Sequence, residues 1–462
     1  MKLNRKILGL ATAATLVGAL AACSHTSPQG ATGSSAAPGP SALASSKGET
    51  NVSIWHAFGG PNGAAFQKLI DEFNQKNSGK IHVTATFQGL YPDLLAKYTA
   101  ALRNKSAPTI LVLNDVSSGI LADLKQSIPA ADMAKANPND LKLADIRRAP
   151  RNYYTLNGVQ YAVPMASSTP VLWVNRDLLK DAGVTESTDL GTLDAVVKAA
   201  RQVEQKTGKF GFTIQDDDWT FENWTATAGQ DFCTPGNGRT GKRPTAITIN
   251  TGGAKTAVSK VVDLYRDKVA VDGGVDGSAA ISAFSAGKVA FMPYGSGALG
   301  ALKAGGATFK YEALPFPASD EKYRGNTTIG GAAMWLSKSA TDAAKVAGWK
   351  LESFLTSAAS QEQWSHATGY VPVNQTVDSS ETQATFLDRN PSFRVFTKQI
   401  DGSPTASNTA GCLSGAMAAI RAGNVSQLQA AFAGTKSADE ALDAAAASAA
   451  KALSDYREQV GK

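Results

Sequence analysis

Thr109-Ile110-Leu111-Val112-Leu113 is a continuous apolar run, the pattern of a strand buried on both faces in a parallel sheet. On its N-terminal side, Leu94, Leu95, Tyr98 and Leu102 recur at helical spacing. Before them Ile81, Val83, Ala85 and Phe87 alternate with polar residues, as in a strand. Phe66, Leu69, Ile70 and Phe73 return to helical spacing, and Asn51-Val52-Ser53-Ile54-Trp55 reads as a short strand. The order strand, helix, strand, helix, strand predicts a doubly wound α/β lobe. Ligands of such lobes sit at the carboxyl ends of the strands. Asn114 and Asp115 stand just past the third.

The alternation resumes on the C-terminal side. Val171-Leu172-Trp173-Val174, Val289-Ala290-Phe291-Met292 and Ala332-Ala333-Met334-Trp335-Leu336 read as strands, and a helix starts at Leu178. The C-terminal part is helical. Ser437-Ala438-Asp439-Glu440 has the form of a capping box and opens an Ala-rich helix running towards Arg457.

The N-terminus is of another kind. Lys2, Arg5 and Lys6 precede an uncharged stretch, Ile7 to Leu20, too short for the about 20 residues a spanning helix needs. A basic start, a short apolar run and small residues at its end predict a secretory signal. Leu20-Ala21-Ala22-Cys23 resembles a lipobox, which makes Cys23 the lipidated mature N-terminus. From Ser24 to about Glu49 the chain is almost all Ser, Ala, Gly, Pro and Thr. That composition is too poor in apolar surface to offset ordering entropy, and it predicts a disordered tether with a reach on the order of 25–30 Å.

The formal net charge is +6. Removing Lys2, Arg5 and Lys6 leaves +3 (6 − 3), and no polybasic run of nucleic-acid type is present. The body is long enough for two lobes. Beyond Cys23 the cysteines are Cys233 and Cys412, which in an oxidising compartment either pair or stay as two buried thiols.

Several stretches carry a family resemblance: Ile54-Trp55-His56-Ala57-Phe58-Gly59-Gly60, Gly89-Leu90-Tyr91-Pro92-Asp93, Ser167-Ser168-Thr169-Pro170-Val171-Leu172 leading into Asn175-Arg176-Asp177, Ile329-Gly330-Gly331-Ala332, and Thr368-Gly369-Tyr370-Val371-Pro372. From about residue 51 to the end the chain resembles the family-1 extracellular solute-binding proteins of ABC importers. Within them it is most similar to the component for glycerol 3-phosphate and glycerophosphodiesters. The resemblance implies a two-lobed α/β fold of type II, maltose-binding-protein-like, with a hinge that closes on ligand. Chain crossings are expected near Pro164, Tyr294 and Ser337. The division expected is a signal peptide at 1–22 and a lipidated tether at 23–50, with 51–164 and 295–337 in one lobe and 165–294 and 338–462 in the other. The implied partners are permease subunits and their ATPase, with a lipid anchor at the membrane, a monomeric state, and no cofactor, metal or nucleic acid.

The resemblance also implies a set of ligand contacts. Tyr91 matches a cleft tyrosine able to pack on a carbon chain and donate a hydrogen bond. Asp115 falls at an acidic position suited to vicinal hydroxyls or a choline ammonium. Ser168 would donate to a phosphate or hydroxyl oxygen. Trp219, in Asp216-Asp217-Asp218-Trp219-Thr220-Phe221-Glu222-Asn223-Trp224, would offer an indole face. The three aspartates before it are expected in a solvated loop. Gly331 would bring a backbone amide to the ligand, and Tyr370 a ring. Arg421 falls where an arginine would hold a phosphate by its guanidinium fork.

Tyr294-Gly295-Ser296-Gly297-Ala298-Leu299-Gly300 replaces a serine-rich turn, so that either Gly295 or Ser296 supplies the contact there. The same stretch matches G-x-G-x-x-G, but an exported chain has little dinucleotide to bind. Its glycine turn still offers free amides to an anion.

Two other classes make different demands. A metal-assisted phosphodiesterase wants clustered histidines and carboxylates, yet His25, His56, His82 and His366 are far apart in sequence, and H-E-x-x-H and G-x-S-x-G are missing. A sugar importer's component predicts more carboxylates in the pocket and no essential phosphate-binding arginine.

Overall fold

A computed structural model describes residues 37–460. The expected signal peptide at 1–22 and the expected lipidation of Cys23 lie outside the described residues. Among those residues no helix is long and apolar enough to cross a membrane.

The first of two five-stranded sheets has the order Ile81–Phe87, Thr50–His56, Ile110–Asn114, Gly330–Leu336, Val163–Ser168. Its first three strands are parallel, and Gly330–Leu336 runs antiparallel to both neighbours. Strand Ile110–Asn114 shows why its sequence is apolar throughout. Ile110 and Val112 bury against Phe66, Ile70 and Trp364 on one face. Leu111 and Leu113 bury against Leu94, Tyr98 and Trp335 on the other. The helices Gly60–Lys76 and Tyr91–Arg103 supply those faces, and each has a proline in its first turn, where the missing N–H costs nothing.

The second sheet has the order Ala270–Asp272, Phe210–Ile214, Val289–Gly295, Pro170–Asn175, Tyr311–Pro315. Leu172 and Val174 face a core built with helices Leu193–Thr207 and Ala438–Val460, while Val171 and Trp173 face Phe393 and Phe396. The capping box forms at the start of the last helix. The Glu440 amide donates to Ser437 Oγ at 3.2 Å, and the Ser437 amide donates to Glu440 Oε2 at 2.9 Å.

The lobe boundaries differ from the sequence expectation in three places. The first crossing is at Thr169, between strands Val163–Ser168 and Pro170–Asn175. No crossing occurs at Tyr294, because Tyr294 and Gly295 still pair with Val171 and Pro170. Strand Tyr311–Pro315 also belongs to the second sheet, so the chain returns between Pro315 and Gly330. Nor does it leave at Ser337. Helices Asp342–Leu355 and Ala358–Thr368 bury Trp349, Leu351 and Trp364 in the first lobe's core. Hydrophobic periodicity records that a face is buried, and it does not record against which sheet.

The expected tether does not run as far as residue 50. Residues 41–44 form a helical turn, Leu43 packs on the first lobe's core, and Asn137 Nδ2 donates to the Pro38 carbonyl at 3.0 Å. One aliphatic side chain in a polar stretch supplies the apolar contact that average composition hides.

Cys233 and Cys412 are joined by a disulfide, with Cα atoms 5.7 Å apart and a sequence separation of 179. The bond links the segment after helix Asp218–Ala226 to the one before helix Met417–Phe432. Those two helices carry Asp218, Glu222 and Arg421 of the cleft.

Candidate ligand-binding cleft

The cleft lies where strand ends and helix starts of the two lobes face each other. Val163–Ser168 brings Ser168 to it, and Val289–Gly295 brings Gly295. Asp115 sits in a single 3-10 turn directly after Ile110–Asn114. Helix Asp218–Ala226 opens at Asp217, whose Oδ1 accepts the Thr220 amide at 3.2 Å. Carboxyl groups at this position suit the positive end of the helix dipole. The aspartate run is therefore not the solvated loop expected of it: Asp216 and Asp218 are buried. The Asp217–Thr220 spacing is the N-cap signature that would have located the helix start.

One compartment, of about 330 Å³, is lined among others by Asn62, Ser168, Trp219, Tyr294, Gly295 and Tyr370. Its donors are uncharged. Trp219 Nε1 donates to the Ile329 carbonyl at 3.2 Å, which fixes the indole between the lobes. A methyl on Gly297 would lie 3.1 Å from the Tyr370 ring, and one on Gly330 would lie 2.8 Å from both Ser168 Oγ and the Trp219 ring. Gly330 thus leaves the room beside Ser168. Gly331 answers a backbone demand, with φ +112° and its pro-Cβ position 2.0 Å from the Ala166 carbonyl oxygen.

Ser296 is fully buried. Its Oγ accepts the Thr169 amide at 3.3 Å, and its amide donates to the Thr169 carbonyl at 2.9 Å. It pins the crossing strand, and Gly295 is the residue of the pair that lines the compartment.

A second compartment, of about 820 Å³, lies between Leu90, Tyr91 and Val116 of the first lobe and Val275, Arg421 and Val425 of the second. Gln215 and Asp217 line both spaces, so the two adjoin. Beside the second, which Asp218 and Arg421 line, stands a charged cluster. Arg421 Nε and Nη2 donate to Glu222 at 3.2 and 3.0 Å, and Nη2 lies 3.6 Å from Asp115 Oδ2. Asn424 donates to Asp218 Oδ2 at 2.8 Å. Glu222 went unassigned in the sequence reading. It stands one helical turn after Asp218, but nothing in the sequence pairs it with an arginine 199 residues away.

Burial dominates the electrostatics. It raises the Asp115 carboxyl to about 6; Arg421 opposes the shift and Glu222 adds to it. Burial, and then Glu222, push Asp218 well above the carboxylate range. Burial with the nearby Asp272 raises Asp216 to about 6. Burial also raises the Tyr370 hydroxyl to about 12, with Asp115 adding to it. For Arg421 burial disfavours the charge, but Glu222 and Asp115 outweigh it and hold the guanidinium protonated.

The structure thus gathers Ser168, Trp219, Gly295 and Tyr370 around one compartment. It places Tyr91 and Arg421 on the other, with Asp115 against Arg421.

Residues 68–391 match the pattern of the bacterial extracellular solute-binding proteins. The chain belongs to that family. It is a solute-binding protein of an ABC importer and not an enzyme. The sn-glycerol-3-phosphate-binding periplasmic protein UgpB of Agrobacterium fabrum is 27% identical over 402 residues, 85% of this chain and 90% of the relative. The protein of the same name from Escherichia coli O1:K1 is 25% identical, over 90% of this chain and 95% of its own.

Among solved structures, UgpB from Mycobacterium tuberculosis in complex with glycerophosphocholine superposes with TM-score 0.74 at 19% identity, covering 88% of this binding protein and 98% of that chain. The cyclic alpha-maltosyl-1,6-maltose binding protein from Arthrobacter globiformis superposes at 0.70 and 22% identity, covering 88% and 100%. The maltose-binding-protein-like fold is therefore the binding protein's own.

Proposed function

We propose that this binding protein captures glycerol 3-phosphate or glycerophosphodiesters such as glycerophosphocholine for uptake by an ABC permease and its ATPase. The observation that carries the reading is the two-ended cleft. One end has uncharged donors, Ser168, Tyr370 and the backbone around Gly295, beside the face of Trp219. The other end has the Asp115–Arg421–Glu222 cluster.

This arrangement changes the role read from sequence for Arg421. Its fork is already filled by Glu222, and parting the two would leave a buried charge unpaired, at a cost of about 3–5 kcal/mol. The phosphate therefore goes to the Ser168 end, and the glycerol hydroxyls go to Asp115 and Arg421. Tyr91 and Trp219 cover the carbon chain, with Gly331 shaping the strand behind Ser168. The relatives named for glycerol 3-phosphate support the choice.

Calorimetry with glycerol 3-phosphate, glycerophosphocholine, glycerol and maltose tests it. Binding of the phosphorylated ligands alone is expected. Ser168→Ala should weaken them about tenfold, the value of a hydrogen bond to a charged group. Arg421→Ala should cost at least about tenfold through lost hydroxyl contacts and an orphaned Glu222. A second reading, a mono- or oligosaccharide-binding component, is favoured by the surplus of carboxyl groups around Arg421. Tight maltose binding with no response to phosphorylated ligands would establish it instead. Cys23 is the proposed site of a lipid that keeps a monomeric binding protein at the membrane. Loss of membrane retention in Cys23→Ser is the expected sign.

A further inference from the structure

We infer that Arg147 is a positioning residue for ligand capture: from behind the cleft it fixes the strap formed by residues 370–373, and with it the Tyr370 hydroxyl. The inference rests on the ligand contact proposed for Tyr370 and goes beyond it, to the residue that holds that contact in place.

Helix Ala358–Thr368 ends at Gly369, and the strap follows. Its side chains divide between the lobes. Tyr370 and Val373 pack with the first lobe's core, while Val371 is buried with Val171 and Trp173 of the second. The Val371 amide donates to the Ser167 carbonyl at 2.8 Å, next to Ser168 of the cleft. The Tyr370 ring stacks on Trp364 with centroids 5.5 Å apart.

Arg147 holds the strap's carbonyls. It is 2% exposed and lines neither compartment of the cleft. Its amide donates to the Val373 carbonyl at 2.8 Å, and its Nε donates to the Pro372 carbonyl at 2.7 Å. Nη2 donates to Asp378 and Nη1 to Asp401, at 2.5 and 2.7 Å. Asp401 belongs to helix Ser392–Gly402, whose Phe393, Phe396 and Ile400 pack with the second sheet. That helix also touches both places where the chain changes lobes. Gln399 donates to Thr169 Oγ1 at 2.6 Å and accepts the Phe316 amide at 2.8 Å. Ser403, its C-cap, donates to the Thr327 carbonyl at 2.7 Å.

One guanidinium therefore joins the strap to the helix that rides on the hinge. A planar fork can hold three acceptors in fixed directions, which a lysine ammonium on a flexible stem cannot. A ligand contact counts only where its group is held within about 0.5 Å of the productive place. A strap packed on both lobes is pulled by whichever lobe moves when the hinge closes. Arg147 gives it a fixed seat on the side away from the ligand.

The test combines calorimetry with glycerophosphocholine and hydrogen exchange, both on the full chain. Arg147→Lys keeps the charge and loses the fork, and it should weaken the ligand at least tenfold. Asp401→Asn, at a half-exposed partner, should weaken it severalfold. Tyr370→Phe keeps the ring on Trp364 and removes the hydroxyl. In that background Arg147→Lys should cost under threefold, because the group it positions is gone; a merely structural role would leave the loss undiminished. In exchange, the Val371 and Val373 amides should open at least tenfold faster in Arg147→Lys, while those of strand Ile110–Asn114 stay protected. Circular dichroism checks that each variant is folded. If folded Arg147→Lys binds within twofold of wild type, or loses as much with Tyr370→Phe as without it, the inference is overturned and the proposed function stands. If wild type does not bind glycerophosphocholine, the proposed function falls and exchange alone decides: faster opening confined to the strap upholds the positioning, and unchanged exchange overturns it.

Discussion

Burial moves the Asp115 carboxyl from its ordinary 3.8 to about 6, so the folded protein holds that proton more tightly than the unfolded chain does. Between those values the native state binds more protons, and stability falls as pH rises through the window. Asp115→Asn is neutral throughout. Relative to wild type it should therefore gain about 2–3 kcal/mol between pH 4 and pH 7, since each tenfold change in proton affinity is worth about 1.4 kcal/mol. Urea denaturation at stepped pH reads this directly, and a difference that stays constant with pH would refute it. Single residues were also where reading from sequence was most uneven. Ser168, Trp219, Gly295 and Tyr370 were legible from the stretches around them, and the fold brings them to one space. Glu222 was in plain view in the same run as Trp219. Its meaning lies in a contact with Arg421, and only the packing of two helices creates that contact.

Helices Asp218–Ala226 and Met417–Phe432 hold opposite halves of the charged cluster, and the Cys233–Cys412 bond ties the segments that lead between them. Closing a loop of 179 residues is worth on the order of 5 kcal/mol in the chain-entropy account. The double variant Cys233→Ser, Cys412→Ser should lower the unfolding midpoint clearly. It should also weaken ligand severalfold, because Arg421 and Glu222 lose their common support. Unchanged affinity alongside a lowered midpoint would confine the bond to stability. At this scale the sequence was readable wherever a face was periodic. Phe66, Leu69, Ile70 and Phe73 announced their helix, and all four are buried in it. Residues 216–218 misled because three adjacent aspartates look solvated, whereas here they begin a helix whose amides and burial they accommodate.

Contacts between the lobes outside the cleft complete the molecule. Asp123 of the first lobe accepts both Arg243 Nη1 and Nη2 at 2.8 Å and the Tyr456 hydroxyl at 2.8 Å from the second. Surface ion pairs are worth little, but a bidentate pair backed by a third hydrogen bond can bias closure. Asp123→Ala should enlarge the ligand-free radius of gyration in X-ray scattering. It should also weaken ligand a few-fold, since the binding-competent closed form becomes scarcer. Identical scattering and affinity would remove the contact from any part in closure.

The chain by itself determined its α/β lobes, its family and the candidacy of Ser168, Trp219, Gly295, Tyr370, Tyr91 and Arg421, which line the cleft. Those properties are local, being written in apolar spacing and short motifs. Only the tertiary structure decided where the chain changes lobes, that Cys233 and Cys412 meet, that residues 37–49 rest on the first lobe, and that Glu222 occupies Arg421. Each depends on which distant surface a segment packs against, and spacing along a chain does not encode that.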